Sequence, residues 1–293
     1  MRLTVRVPAT SANLGPGFDC FGLALDLCNE VTIDTDAEPG VSWEEEGAGE
    51  LPTDGSDLVS RTIARVGASH DMTPPPLRLH GTNRIPLERG LGSSSAAAVA
   101  GVVLGSRLFD LSIDGHGTDR GPDPYSVFRL AAEIEGHPDN AASATYGGFT
   151  IVADEKVHRL DVHPDVRPAI LVPQTRLSTA TARDVLPPEV ARADAVFNAA
   201  HAGLLVHALT REPSLLREAL RDRLHQEARL GLIPPARLVF ERLWTAGVPV
   251  CVSGAGPALL AFESHDRSVP DLGDGWRTLR LPVRPTGVQV LAA

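Results

Sequence analysis

Ile85-Pro86-Leu87-Glu88-Arg89-Gly90-Leu91-Gly92-Ser93-Ser94-Ser95-Ala96 is the stretch of this 293-residue chain whose residue types point most directly to chemistry. Two glycines let the backbone turn tightly and bring its N–H groups close to an anion. Three serines follow, then a run of alanines that favours helix. The first turn of such a helix has unpaired N–H donors and the positive end of its dipole, which suits a phosphate. A serine hydroxyl there can also ligate the magnesium ion of a nucleotide. No Gly-Lys-Ser/Thr closes the stretch, so it is not a Walker A loop, and it is not GxGxxG either. Taken alone, it also fits a small-residue helix packed closely against a sheet.

Three further segments carry candidate chemistry. Glu133-Ile134-Glu135-Gly136-His137-Pro138-Asp139-Asn140 places carboxylates, an imidazole and an amide at a helix-to-loop exit. One carboxylate could complete a magnesium shell, because that ion prefers hard oxygens and few protein ligands. A second could orient or deprotonate an attacking hydroxyl. By itself the segment reads more simply as a solvated helix end with a Pro-Asp-Asn turn. Pro8 to Asp19 is a strand running into a polar loop, in which Asn13 and Asp19 could take the ammonium and hydroxyl of a small substrate. A tight hairpin loop explains it equally well. Val252-Ser253-Gly254-Ala255-Gly256-Pro257-Ala258 could bring backbone close to a ligand, or simply turn between two strands.

The elements around these segments are legible from periodicity. Arg2–Val7 alternates as a strand, and Leu23–Asp34 regains strand character. Asp57–Val66 has helical spacing with Asp57 as a cap. Leu77–Gly81 is a short strand, Ser93–Leu108 a helix entered from the glycine loop, Leu111–Pro124 a surface loop, Tyr125–Glu135 a helix and Gly148–Ala153 a strand. Beyond about residue 155, strands at Val157–Val162 and Ala169–Val172 precede helices around Pro188–Leu209, Ser214–Arg221 and Ala236–Ala246. Strands at Val250–Val252, Ala258–Phe262, Arg277–Leu281 and Val288–Leu291 complete the chain. Helices and strands mix without strict alternation, which favours α+β.

Composition narrows the classes. A net charge of -10 with no Lys/Arg-rich run argues against nucleic acid as a partner. The longest apolar run, Ala96 to Leu104, is too short to span a bilayer, and no signal-peptide order opens the chain. Three cysteines without a CxxC pair suit a reducing compartment, so a cytoplasmic location is expected. The histidines form no pattern for zinc.

In this order, the four segments resemble the GHMP kinase family. Gly90-Leu91-Gly92-Ser93-Ser94-Ser95 is similar to its phosphate loop. Pro8 to Leu25, Glu135 to Asn140 with Gly147-Gly148, Ser178 to Arg183 with Leu186-Pro187, and Arg229 to Pro234 resemble the branch that phosphorylates L-homoserine. The resemblance implies a two-domain α+β fold: a ribosomal-S5-like domain over residues 1–155 and a ferredoxin-like domain over 156–293, with the active site between them. It implies transfer of the ATP γ-phosphoryl group to the homoserine hydroxyl, a step of threonine biosynthesis. Pro86, Leu87, Glu88, Arg89, Gly90, Leu91, Gly92, Ser93, Ser94, Ser95 and Ala96 would cradle the nucleotide. Ser94 and Glu135 would ligate Mg²⁺, with Ser95 and Glu133 as rivals. Asn13, Asp19, His137, Asp139, Thr179, Arg183 and Arg229 would bind homoserine, with Asp139 at its hydroxyl, Asp19 at its ammonium and the two arginines at its carboxylate. His225-Gln226-Glu227-Ala228-Arg229 and Pro235 depart from the family wording. Two other readings stay open: a kinase for another amino alcohol or polyol, and a catalytically silent ligand sensor. A homodimer is compatible with the sequence.

Overall fold

Alternation of Leu3, Val5 and Val7 with Arg2, Thr4 and Arg6 makes β1 (Arg2–Ala12) a strand with one buried face. It pairs antiparallel with β2 (Phe21–Asp34), and the register shifts between Pro8 and Ala9. Proline has no N–H to give the ladder, so a bulge is where it is tolerated. Beyond the bulge, Ala9–Ala12 is wholly buried and carries Thr10 and Ser11 into the interior.

The computed structural model describes residues 1–111 and 122–291. Most of the loop expected over Leu111–Pro124 therefore lies outside the described residues. After β2 come β3 (Gly40–Glu45), α1 (Leu58–Ala68), β4 (Arg78–Asn83), α2 (Ser93–Leu108), α3 (Pro124–Glu135), α4 (Pro138–Tyr146), β5 (Phe149–Ala153) and β6 (Lys156–Leu160). Then follow β7 (Arg167–Pro173), α5 (Thr179–Asp184), α6 (Arg192–Thr210), a 3-10 turn at Pro213–Leu215, α7 (Leu216–Ala219), α8 (Gln226–Leu232), α9 (Pro234–Thr245), β8 (Val250–Val252), β9 (Leu259–Glu263), β10 (Trp276–Arg280) and β11 (Gln289–Leu291). The larger sheet runs β11–β1–β2–β4–β3, with β5 on the start of β2 and β6 outside β5; the smaller runs β10–β7–β9–β8. The architecture is α+β with two sheets. The chain passes to the second sheet between Leu160 and Arg167, and its last strand returns to the first.

Two expectations need correcting. The segment after Glu135 is not a loop exit: Gly136, left-handed at φ 78°, ends α3, and Pro138 opens α4 at once. Proline at the first helical position has no donor to waste, and Asp139 in the first turn complements the dipole. The helix expected from Pro188 starts only at Arg192. β3 was not anticipated, because on this edge strand only Trp43 is buried.

α2 is buried along nearly its whole length, from Ser95 through Ser106 apart from Ala97, which explains its lack of any charge before Arg107. Its small side chains let α1 and the sheet approach closely. The second sheet is covered on both faces: Ile170 and Val172 join the main core while Ala169 and Leu171 pack with α8 and α9. That is why Ala169–Val172 reads as an unbroken apolar run. Among the described residues no helix is long and apolar enough to cross a membrane. A Cβ at Gly101 would lie 2.5 Å from the Cβ of Thr62 on α1. Gly101→Val should therefore wedge the two helices apart and cost about 1–3 kcal/mol of stability, read from the urea unfolding midpoint at unchanged slope.

Candidate active site

The loop after β1, the uncapped start of α2 and the α3–α4 turn converge on one cleft of about 510 Å³, whose wall also includes residues of α5, α8 and the β8–β9 turn. Gly92, at φ 68°, is the residue before α2, and no side chain caps the helix there. A Cβ on Gly92 would collide with the Thr10 hydroxyl, so both conformation and space demand glycine. The first-turn N–H groups are thus left for an anion. The loop is held from behind: Thr10 N–H donates to Leu91 O at 3.1 Å, Ser253 Oγ to Gly90 O at 2.8 Å, and Asn29 Oδ1 accepts from the N–H groups of Arg84 and Ile85 at 2.8 and 2.9 Å.

A chain of polar contacts crosses the cleft from this loop. Ser94 Oγ donates to Glu135 Oε1 at 2.7 Å, and Glu135 Oε2 lies 3.0 Å from His137 Nδ1. Arg183 Nε donates to His137 Nε2 at 3.2 Å, while its two terminal nitrogens reach Asp19 Oδ2 and Oδ1 at 3.2 and 2.9 Å. Asp19 N–H donates to Asn13 Oδ1 at 2.9 Å, and Asn13 Nδ2 to Gly254 O at 2.9 Å. Arg229 NH1 donates to the same carbonyl at 2.9 Å. Because Arg183 only donates, the neutral His137 ring carries its proton on Nδ1, facing Glu135. The hydrogen bond to Glu135 raises the affinity of that ring for a proton.

Two charges in this cleft are buried. Asp139 is 2% exposed; its Oδ1 accepts the Asn140 N–H at 2.8 Å, and among the described residues Oδ2 has no hydrogen-bond partner. Burial pushes its carboxyl up to about 6, against the pull of the Asn140 N–H, with Asp19 nearby adding to the rise. Arg229, also 2% exposed, hydrogen-bonds carbonyls and an imidazole and, among the described residues, no carboxylate; burial lowers it to about 10, against the pull of Asp19 nearby.

Residues 57–148 match the family described as GHMP kinases N terminal domain. The chain is 44% identical over 269 residues to the homoserine kinase of Clavibacter michiganensis, spanning 90% of this chain and 83% of that one. It is 42% identical over 295 residues to the homoserine kinase of Streptomyces avermitilis, spanning 98% and 95%. The crystal structure of homoserine kinase from Cytophaga hutchinsonii superposes with a TM-score of 0.83 at 28% identity, over 99% of this chain and 97% of that one. The chain belongs to the homoserine kinase family.

The residues that resemblance to this family singled out are mostly gathered in the cleft. Asn13, Asp19, Pro86 to Ser94, Ala96, Glu135, His137, Asp139, Thr179, Arg183 and Arg229 all line it. Ser95 is not in the wall; its hydroxyl is buried and has no hydrogen-bond partner among the described residues. Glu133 faces away and pairs with Arg65 on α1. Arg89 donates to the carbonyls of Pro173, Leu87 and Gln174, at 2.9, 2.9 and 2.6 Å, and so ties the loop to β7. Both polar ends of the Asn13 side chain join loops together. Sequence reasoning for a homoserine kinase relative missed the apolar end of the cleft, with Val31, Trp43, Leu51 and Val59, and missed Thr10, whose hydroxyl donates to Asn140 Oδ1 at 2.7 Å. Helical spacing over Leu58–Val66 placed Val59 on the inner face of α1; nothing local marked the others.

Asp139 yields a prediction for stability. Its folded-state value of about 6 lies above the ordinary carboxylate value near 4, so the folded state resists its ionisation. The associated stability is fully present below pH of about 4, lost as pH rises to about 6, and absent above. Asp139→Asn should therefore raise stability at pH of about 7.5 by about 2–3 kcal/mol, with the gain vanishing below pH of about 4 in urea titrations.

Proposed function

We propose that this protein transfers the γ-phosphoryl group of ATP to the side-chain hydroxyl of L-homoserine, giving O-phospho-L-homoserine in threonine biosynthesis. One observation carries the reading: a single cleft joins an uncapped helix N-terminus beside Ser94 and Glu135 to a buried carboxylate, Asp139, and a buried cation, Arg229, that hydrogen-bonds no carboxylate among the described residues. The first end suits phosphates and the second an amino-acid alcohol. A buried guanidinium whose hydrogen bonds go to carbonyls and an imidazole favours a substrate that brings a carboxylate, and so argues against a polyol.

The apolar stretch of Val31, Trp43, Leu51 and Val59 takes the nucleotide base, and the loop Pro86–Ala96 takes the phosphates at the start of α2. Ser94 and Glu135 fit a magnesium ion, since they present hard oxygens 2.7 Å apart beside that phosphate site. Such an ion, when bound, supplies neutralisation of phosphate charge. Arg183 and Arg229 hold the homoserine carboxylate, and Asp19 its ammonium. In the free protein Asp19 and Arg183 pair with each other, so the zwitterion replaces an ion pair with two of its own. Thr179, first residue of α5, contacts the substrate from the rim. Asp139 orients the hydroxyl and accepts its proton as the new P–O bond forms and the bond to ADP breaks. A carboxyl poised near 6 is suited to that task at neutral pH, although a loose transition state leaves most of the rate to positioning. The division into units of residues 1–155 and 156–293 is part of this proposal, with β6 and β11 lent by the second unit to the first sheet. The reading places the enzyme in the cytoplasm, with small molecules as its partners.

In an ADP-release assay across hydroxyl substrates, homoserine should be turned over in preference to polyols; clear turnover of another alcohol without homoserine would overturn the assignment. Arg183→Ala should raise the KM for homoserine, on the order of tenfold or more, with a smaller change in kcat. Because Asp139 acts ionised, kcat/KM should fall as pH drops through about 6. A profile flat down to pH of about 5 would exclude that role for Asp139.

A further inference from the structure

Asp222 and His225 take no part in the chemistry above, yet both side chains are fully buried. Asp222 accepts four hydrogen bonds: from Asn198 Nδ2 at 2.7 Å and from the N–H groups of Leu224, His225 and Gln226 at 3.0, 2.9 and 2.8 Å. The carboxylate thereby fixes the turn into α8. His225, at the head of that helix, is held on both nitrogens. Nε2 lies 2.8 Å from Gly15 O, which can only accept, so Nε2 carries the proton. Nδ1 is left as an acceptor and receives Arg229 NH1 at 3.2 Å, one turn along the helix. A charged ring would turn a second N–H toward the guanidinium and lose this bond. Burial pushes the ring down to about 4, so it is neutral at physiological pH. Phe18 completes the arrangement, with its ring 5.2 Å from that of His225 and 5.3 Å from the guanidinium carbon of Arg229. Arg229 uses Nε and NH1 for its protein contacts, and among the described residues NH2 has no hydrogen-bond partner.

We propose that His225, locked as the neutral Nε2–H tautomer by Gly15, is a positioning residue that turns the free donor of Arg229 to the cleft, and so sets how strongly the enzyme selects a substrate with an α-carboxylate. The inference rests on the reading of Arg229 as a carboxylate-binding residue. It separates the role of His225 from general stability, because positioning acts only on substrates that carry the carboxylate. Homoserine without its carboxylate, an aminopropanol, has nothing to gain from a well-aimed guanidinium.

The test compares kcat and KM for homoserine, the aminopropanol and ATP in folded variants. His225→Gln keeps a donor within reach of Gly15 but has no acceptor where Nδ1 stood; His225→Asn keeps an acceptor there. His225→Gln should raise the KM for homoserine by about tenfold or more, leave that for ATP unchanged, and erode the preference for homoserine over the aminopropanol by the same factor. His225→Asn should restore most of that preference. Equal losses on both alcohols, or an intact preference, would overturn the proposal. Phe18→Leu gives an independent readout outside the buried network, and it too must erode the preference; an unchanged one contradicts the proposal. Arg229→Met serves as the control: if it leaves the preference intact, the carboxylate assignment itself fails, and if it abolishes the preference while His225→Gln does not, only the role of His225 fails.

Discussion

A carboxylate at Asp139 and a guanidinium at Arg229 are buried against one cleft, and among the described residues neither has an oppositely charged hydrogen-bond partner. Burying ions this way opposes folding, so the rest of the protein must hold them there. The groups that hydrogen-bond them are dipoles rather than countercharges, although Asp19, Asp139 and Asp222 also favour the charged form of Arg229 without bonding to it. Asn140 N–H and the first turn of α4 face Asp139, and the carbonyls of Gly254 and Ala182 with a neutral imidazole face Arg229. Dipoles moderate an ion without quenching it, and that leaves each charge available to a ligand.

The architecture follows from this constraint. A phosphate end needs an uncapped helix start, and α2 can be driven deep into the core only because its side chains are small. The cleft also needs walls from distant parts of the chain. Arg89 ties the phosphate loop to β7, Ser253 ties it to the β8–β9 turn, and Asn13 ties the β1–β2 loop to Gly254. These ties are hydrogen bonds to backbone, so they fix loops that have little apolar surface of their own. The α3–Gly136–His137–α4 turn is short for the same reason: it sets Glu135 and Asp139 at adjoining helix ends.

Much of this was legible in the residues. Period-two alternation located β1, and Asp57 marked the start of α1, where its Oδ1 accepts the Ser60 N–H. The glycine loop opening into a helix at Ser93 was read from composition alone. Pro138-Asp139-Asn140 misled, because proline followed by Asp and Asn signals a turn and a helix start alike. Glu133 and Glu135 could have been separated, since residues two positions apart on a helix point to nearly opposite sides; one meets Arg65 and the other Ser94. What no local pattern could give were the long-range pairings, such as Asp19 with Arg183, and the tautomer of His225, which depends on a carbonyl 210 residues away. The polar edge strand holding Trp43 was hidden because exposure removes the alternation that identifies strands.

The central claim is that Asp139 sits buried and, among the described residues, without an oppositely charged hydrogen-bond partner in the free protein, and its own titration tests this most directly. Carbon NMR of the Asp139 carboxyl in the ligand-free protein should show a midpoint at about 6. A midpoint in the ordinary carboxylate range near 4 would contradict the account, because a carboxylate that ionises freely is neither desolvated nor held in reserve for a substrate hydroxyl.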